Sequence, residues 1–295
     1  MRRHKLKRKY FYLIAGLPEL GGTDQKAEKD APAVLNWIRE NLEPEDLRVF
    51  NYIIYRNDNK NLLYLIRRQE GYPESPLSPF QEPAVFDRRE LEEGLHGLGE
   101  LPAYMERFLE EERVQPRGGR RRENRLKELY YEEALQLPLP FLRGYFAFKR
   151  DLKNILCALN ARKYGLPVSE VLIEPGDLRA TLESSAAPDF GLGRSHEYVQ
   201  RLSELMEAEH MELLELEIDA ILADYIDRNS ALDFYGPARV CAYALKLSLK
   251  ARWMGLEKSA GMKALEDIRD RVLKTAEWPE EIGFESGRGA EVFAS

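Results

Sequence analysis

The residues best placed to do chemistry in this chain are two glutamate–histidine pairs. Glu207 and His210 stand in E-x-x-H spacing, and Glu93 and His96 repeat it. On a continuous helix this spacing puts a carboxylate and an imidazole on one face, as in the metal sites of di-iron helical bundles. The set is thin. Gly94 and Gly97 weaken the second helix, and matching inward glutamates on two further helices cannot be picked out. The acidic run Glu204, Glu207, Glu209, Glu212, Glu215 and Glu217 reads more simply as a solvated helix face. A metal-dependent helical oxidase using Glu207 and His210 therefore stands third among the functional readings of this chain. Other chemistries lack their parts. The chain has no phosphate-binding G-x-x-x-x-G-K-[ST], no G-x-G-x-x-G and no G-x-S-x-G. Cys157 and Cys241 are isolated and far from zinc spacing. No catalytic residue, metal ligand or cofactor is expected.

The elements that would position such residues are mostly helical. Tyr10 to Ile14 is aromatic and β-branched, which fits a short strand. Asp30 with Pro32 in the first turn opens a helix, and Pro44-Glu45-Asp46 opens another carrying Leu47, Phe50, Ile54 and Tyr55. Asp58 to Gln69 follows as a separate helix. Tyr72 to Pro83 is rich in proline and reads as a loop. Pro102 to Arg113 is helical, with Tyr104, Met105, Phe108 and Leu109 on one side. Phe141 to Tyr164 is a further helix. Ser195 to Asp227 is the longest, with Tyr198, Leu202, Leu205, Leu213, Leu216 and Ala220 spaced by threes and fours as its apolar face. Pro237 to Met254 is the last strong helix, and an amphipathic segment runs on to about Lys274. The fold class is all-α, with a short N-terminal strand compatible with residues 10–14.

Composition bounds the function. The formal net charge is −7, which argues against a general nucleic-acid binder, since phosphate binding needs a positive surface. No run of roughly 18 apolar residues exists, so no direct membrane insertion is expected. The cysteines form no C-x-x-C and read as buried apolar residues of a reducing compartment. Residues 1–9 are a basic tail. With the apolar stretch after them they imitate a short signal peptide, but Pro18-Glu19 stands where a small-residue cleavage site would be. Around Gln115 to Arg125, Pro116, Gly118 and Gly119 stand beside Arg117, Arg120, Arg121, Arg122 and Arg125. That segment reads either as an anion patch or as a solvated connector, with the linker proper at 114–121.

One pattern recurs. Leu159 to Leu166 reads L-x-A-R-x-x-G-L, and Leu249 to Leu256 reads the same, 90 residues on. At that offset Leu142 also matches Leu232, and Tyr145 matches Tyr235. A fainter copy lies upstream, where Asp58-Asn59-Lys60-Asn61-Leu62-Leu63 parallels Asp151-Leu152-Lys153-Asn154-Ile155-Leu156 as D-x-K-N and two aliphatics. Arg68 and Gly71 then take the places of Arg162 and Gly165, one residue out of step. The closing glycines suit a left-handed helix end. Repeated units of this kind bury their apolar faces against one another. They divide residues 10–278 into units of about 10–113, 122–192 and 194–278, followed by a flexible tail at 279–295.

The helix D-x-K-N-I-L-x-A-L-x-A-R-x-x-G-L and its return as A-x-x-L-K-L-S-L-K-A-R-x-x-G-L resemble the C-type central-stalk subunit of the V/A-type rotary ATPases, whose eukaryotic relative is the d subunit of the vacuolar proton pump. The start, Tyr10 to Leu20, also resembles uncharacterised bacterial proteins encoded beside V-type ATPase genes. The resemblance implies a pseudo-repeat helical funnel without a catalytic site. It implies a cytoplasmic protein held at the inner membrane through its complex, joining the proteolipid rotor ring to the central shaft. By motif position it places Lys153, Asn154, Arg162 and Arg252 near ring or shaft, and Lys60, Asn61 and Lys250 are placed there with them without that support. Asn61, Lys153 and Asn154 are also polar residues within apolar helices, which face water, bond a neighbouring helix, line a polar channel or meet a partner. Charge reversal at Arg162 or Arg252 is expected to weaken assembly without unfolding the chain. The first alternative is a helical adaptor or scaffold unrelated to rotary motors.

Overall fold

Proline opens the two longest helices, Pro44–Gln69 and Pro140–Lys163, where its missing N–H is an orphan in any case and its fixed φ suits the first turn. The computed structural model describes residues 9–21, 26–71, 80–173, 178–193 and 196–252. Contacts divide the chain into a unit of residues 1–251 and a second unit of 252–295, of which only Arg252 is described. In chain order the helices are α1 (Phe11–Gly16), α2 (Lys26–Lys29), α3 (Ala31–Glu40), α4 (Pro44–Gln69), α5 (Arg88–Leu95), α6 (Ala103–Val114), α7 (Gly119–Ala134), α8 (Pro140–Lys163), α9 (Leu178–Ser184), α10 (Tyr198–Glu207), α11 (Met211–Ser230) and α12 (residues 237–252). A 3₁₀ turn, Val168–Glu170, follows α8. The described residues contain no strand, so the chain is all-α. Among them no helix is long and apolar enough to cross a membrane. The basic tail up to residue 8, the proline-rich loop over 72–79, the third glycine turn at Gly255, the segment to Lys274 and the tail at 279–295 lie outside the described residues.

The N-terminal strand expected at Tyr10 to Ile14 is helical instead. Ile14 donates its N–H to the Tyr10 carbonyl, the bond of a helical turn, and the described residues hold no strand to pair with. Tertiary contacts override the β propensity here. The buried Tyr10 gives its N–H to the Tyr235 carbonyl at 2.9 Å and its hydroxyl to Asp46 at 2.5 Å. Tyr243 adds a bond from its hydroxyl to the Pro18 carbonyl. The N-terminal segment thus ties the start of α4 to α12.

Residues 44–69 form one helix of 26 residues where the sequence predicts two. The polar stretch Asn57 to Asn61 imitates a boundary. In the fold its side chains hold neighbouring segments. Asn57 donates to the Pro83 carbonyl, and the Asp58 carboxylate accepts the N–H groups of Val85 and Phe86. Asn59 accepts the Tyr104 hydroxyl at 2.9 Å. The chain held this way runs into Asp87, which caps α5 in a reciprocal box with Glu90. That box makes a helix of the segment around Gly94, which composition disfavours.

The long helix expected over 195–227 is broken. Glu209 adopts φ +57°, and α11 restarts at Met211 with His210 before it. Lys163 reaches across from α8 to take the Met206 carbonyl at the end of α10. No glycine or proline marks the break. The restart rotates the helix, so Leu213, Leu216 and Ala220 are exposed and Leu214, Leu222 and Ile226 enter the core instead.

In the arginine-rich stretch, Arg117, Arg122 and Arg125 are tied to carboxylates of the chain itself, not left for an outside anion or for solvent. Residues 115–118 turn the corner from α6 into α7, inside the linker expected at 114–121, because α7 already begins at Gly119. Arg122, only 8% exposed, donates to both oxygens of Glu70 and to Glu112. Arg125 clasps Glu111 with two bonds of 2.8 Å, and Arg117 bonds Glu111 and Glu112. Hydrogen bonding from Arg125 is the main force holding Glu111 down to about 2. Charge-assisted forked pairs of this kind are the strong ones.

Asp58 is fully buried, and burial pushes its carboxyl up to about 6 against the opposing pull of the Phe86 and Val85 N–H groups. Its folded value lies above its unfolded one, so its contribution to stability is complete below about 3.8 and is lost as pH rises through about 6. The difference in unfolding free energy between the wild type and Asp58→Asn is expected to swing toward Asn by on the order of 1–2 kcal/mol between pH 4 and pH 7. Urea titrations of both proteins across that range read it. A difference that stays flat with pH would show Asp58 titrating as an ordinary carboxyl.

Candidate functional site

The D-x-K-N helices α4 and α8 carry most of the residues that the sequence marks as candidates, and their asparagines do the same thing. Asn61 donates to the Gln81 carbonyl at 3.0 Å and accepts the Gln81 N–H at 2.7 Å. Asn154 donates to the Ile173 carbonyl and accepts the Ile173 N–H, both at 2.9 Å. In each case the partner lies about one loop downstream, 20 and 19 residues on. Both carboxamides are buried, at 1% and 4% exposure. They clamp the returning chain and do not present themselves to solvent. Each helix then closes on a glycine of positive φ, Gly71 at +86° and Gly165 at +63°, where a side chain would be strained.

The lysines of the two motifs converge on α7. Glu123 and Lys127, one turn apart on that helix, form an ion pair. Lys153 of α8 lies against Lys127 and within the field of Glu123. Lys60 of α4 feels the same Glu123 and Lys127, together with Arg56. Burial first, and Lys127 next, bring Lys153 down to about 8. Lys60 is lowered as well, by desolvation of its amine and by Arg56, although its side chain remains exposed. Glu123 is lowered by its bond to Lys127 and by Lys153 and Arg67. Sequence reasoning passes over Lys127 and Glu123. Their one signal there is i,i+4 spacing, inside a stretch dominated by arginines.

The remaining candidates are dispersed. Arg162 bonds the carbonyls of Ser185 and Ala187 and lies 3.6 Å above the centre of the buried Phe190 ring. Burial lowers it. Phe190 is held at φ +55°, so Arg162 fastens a strained turn. Lys250 of α12 extends its amine over Gly21, so closely that a Cβ there would come within 2.6 Å of it. Arg252 is half-buried and is the last described residue. The equivalence of Leu142 with Leu232 and Tyr145 with Tyr235 does not survive in three dimensions. Leu142 and Tyr145 are buried within α8, whereas Leu232 is 87% exposed and both Leu232 and Tyr235 precede α12. Asp233 instead organises that turn by accepting the N–H groups of Gly236 and Ala238.

The Glu207–His210 pair loses its shared helix face, whereas Glu93 and His96 line one cleft. Glu207 ends α10, and His210 stands beyond the break, before α11. Glu93 lies in α5 and His96 caps its end, where its ring meets Gln69 in a cleft of about 410 Å³. Among the described residues no group of three metal-binding side chains is present.

These features define an all-α protein whose two D-x-K-N helices both pack against a third, α7. The sequence family described as "Protein of unknown function (DUF2764)" matches residues 7–275, and the chain belongs to that family. No curated protein and no solved structure matches it.

Asn154→Ala removes both bonds to Ile173 and leaves a buried N–H and carbonyl without partners. It is expected to cost about 2–3 kcal/mol, read from the denaturant midpoint at unchanged slope. A cost under about 0.5 kcal/mol would mean that water or a shifted loop replaces the clamp. Arg162→Glu is expected to destabilise the isolated chain by about 2–3 kcal/mol, because two carbonyls and the Phe190 face then meet a carboxylate. The expectation from the sequence is that reversal at Arg162 weakens assembly without unfolding the chain, and a wild-type midpoint would favour it over this one.

Proposed function

We propose that this chain is a non-catalytic central-stalk rotor subunit, joining the central shaft of a V/A-type proton- or sodium-translocating ATPase to its membrane proteolipid ring. The observation that carries this reading is the common construction of α4 and α8. Each opens on proline, places D-x-K-N about halfway along, clamps the following loop with the asparagine and closes on a left-handed glycine. Of these helices α8 carries the motif on which, with its return at residues 249–256, the resemblance to the C-type stalk subunit rests, and repeated helical units suit an adaptor between a narrow shaft and a wide ring.

The mechanics favour the same role. A part that transmits torque must not yield, and dense packing resists deformation. Here buried amides lock loops to long helices, and the N-terminal segment ties α4 to α12 across the intervening chain. In this reading the protein works in the cytoplasm, at the inner membrane through its complex, as part of ion transport and ATP synthesis or hydrolysis. The alternative of a helical adaptor unrelated to rotary motors uses the same units. The oxidase reading has lost its geometric basis with the break between Glu207 and His210.

Affinity purification of the tagged chain from gently solubilised native membranes, with partners identified by mass spectrometry, tests the proposal. Proteolipid and central-shaft subunits are expected in stoichiometric amounts. Recovery of the chain without ATPase subunits would overturn the rotor reading in favour of the adaptor.

A further inference from the structure

Aromatic rings gather at the surface where α1 meets the turn before α12. Their centroids run from Tyr12 to Phe11 at 5.5 Å, from Phe11 to Tyr235 at 5.2 Å and from Tyr235 to Phe234 at 6.5 Å. Much of this run stands open. Tyr12 is 88% exposed, Phe234 60% and Phe11 40%, and Leu232, two residues before Phe234, is bare as well. Single apolar residues at a surface call for no explanation, but a continuous run of them does. Tyr235 also lines a cavity of about 340 Å³, whose charged residues are Lys9, Glu45, Asp46 and Asp233. Three carboxylates stand there against one ammonium. Asp46 takes Lys9 and the Tyr10 hydroxyl, and Asp233 is oriented by the N–H groups of Gly236 and Ala238. Glu45 is exposed.

We propose that this aromatic run and the acidic cavity beside it form a docking surface for a protein partner, which lays apolar side chains on the rings and directs an arginine or lysine toward Glu45 and Asp233. Charge selects the occupant. A second copy of this chain would set one acidic rim against another, and an anionic lipid surface would meet the same carboxylates. A basic segment gains from them while its apolar side chains cover Tyr12, Leu232 and Phe234. Aromatic anchors suit such a contact, because a ring buries a large area with few rotamers to lose. The backbone beneath is fixed: the Tyr10 N–H bonds the Tyr235 carbonyl at 2.9 Å, which holds the start of α1 against the turn. The surface belongs to the isolated chain and stands whether or not the rotor reading does.

Fluorescence anisotropy of the full chain with a labelled octapeptide that alternates leucine and arginine tests the surface. Control peptides carry glutamate in place of arginine, or serine in place of leucine. The leucine–arginine peptide is expected to bind at least about tenfold tighter than either control. Phe234→Ser and Glu45→Lys, both at exposed positions, are each expected to weaken it about fivefold or more. Glu212→Lys makes the same charge change on α11 and should leave the affinity within about twofold. Equal binding of the serine–arginine peptide would reduce the effect to net charge and overturn the surface, as would wild-type affinity in both Phe234→Ser and Glu45→Lys. Replacement of Arg2, Arg3, Lys5, Lys7 and Arg8 by serine examines the chain's own basic residues as the occupant. A gain in affinity of about tenfold in that variant would assign the surface to them and not to a partner. A dimer in sedimentation equilibrium that Phe234→Ser dissociates would assign it to a second copy, and binding to phosphatidylglycerol vesicles that Phe234→Ser abolishes would assign it to lipid.

Discussion

A carboxamide buried in the flank of a helix must find both an acceptor for its N–H groups and a donor for its oxygen. Leaving them unmade costs far more than making them gains. The backbone of a passing segment offers both at one residue. Asn61 and Asn154 each use that solution, and much of the rest follows from it. Once Gln81 is fixed against α4, Val85 and Phe86 fall onto Asp58, and Asp87 is delivered as the cap of α5. Once Ile173 is fixed against α8, the chain passes to α9 and the turn that Arg162 fastens. Helix positions are therefore set from inside, by a few polar groups that have one place to go.

Those groups are visible in the sequence as a motif but not as a device. The prolines at helix starts and the glycines at helix ends are local signals with local causes, and they mark α8 and the two ends of α4, although the polar D-x-K-N stretch reads as a boundary inside α4. The partner of each asparagine is set by how the loop folds back, which no spacing encodes. The same limit explains the other departures. Tyr10 to Ile14 has the composition of a strand, but Tyr235 and Asp46 capture Tyr10 in a helical turn. The break at Glu209 carries no breaker residue and depends on Lys163 arriving from another helix. Leu213, Leu216 and Ala220 keep a helical apolar spacing, yet the rotation after that break turns them outward. The arginines of the α6–α7 corner read as solvated because the spacing of the sequence does not show which glutamates will face them.

The contrast between arginine and lysine bears on what selection of residue type achieves. Arginine, with a planar fork, is used where carboxylates of the same chain close the contact. Lysine pairs with single carboxylates instead, as Lys127 does with Glu123 on α7 and Lys246 with Asp227.

The tie made by the N-terminal segment has a consequence in time. Tyr243 bonds the Pro18 carbonyl across a separation of 225 residues, and Tyr10 meets Tyr235 beside it. At ribosomal speeds of about 5–20 residues per second, Tyr10 to Pro18 wait roughly 10–45 s before their α12 contacts exist. Through that interval Tyr10 and Leu13, buried in the finished fold, are without their final cover. A nascent-chain chaperone has a defined window in which to hold them, and the emergence of α12 marks when that window closes.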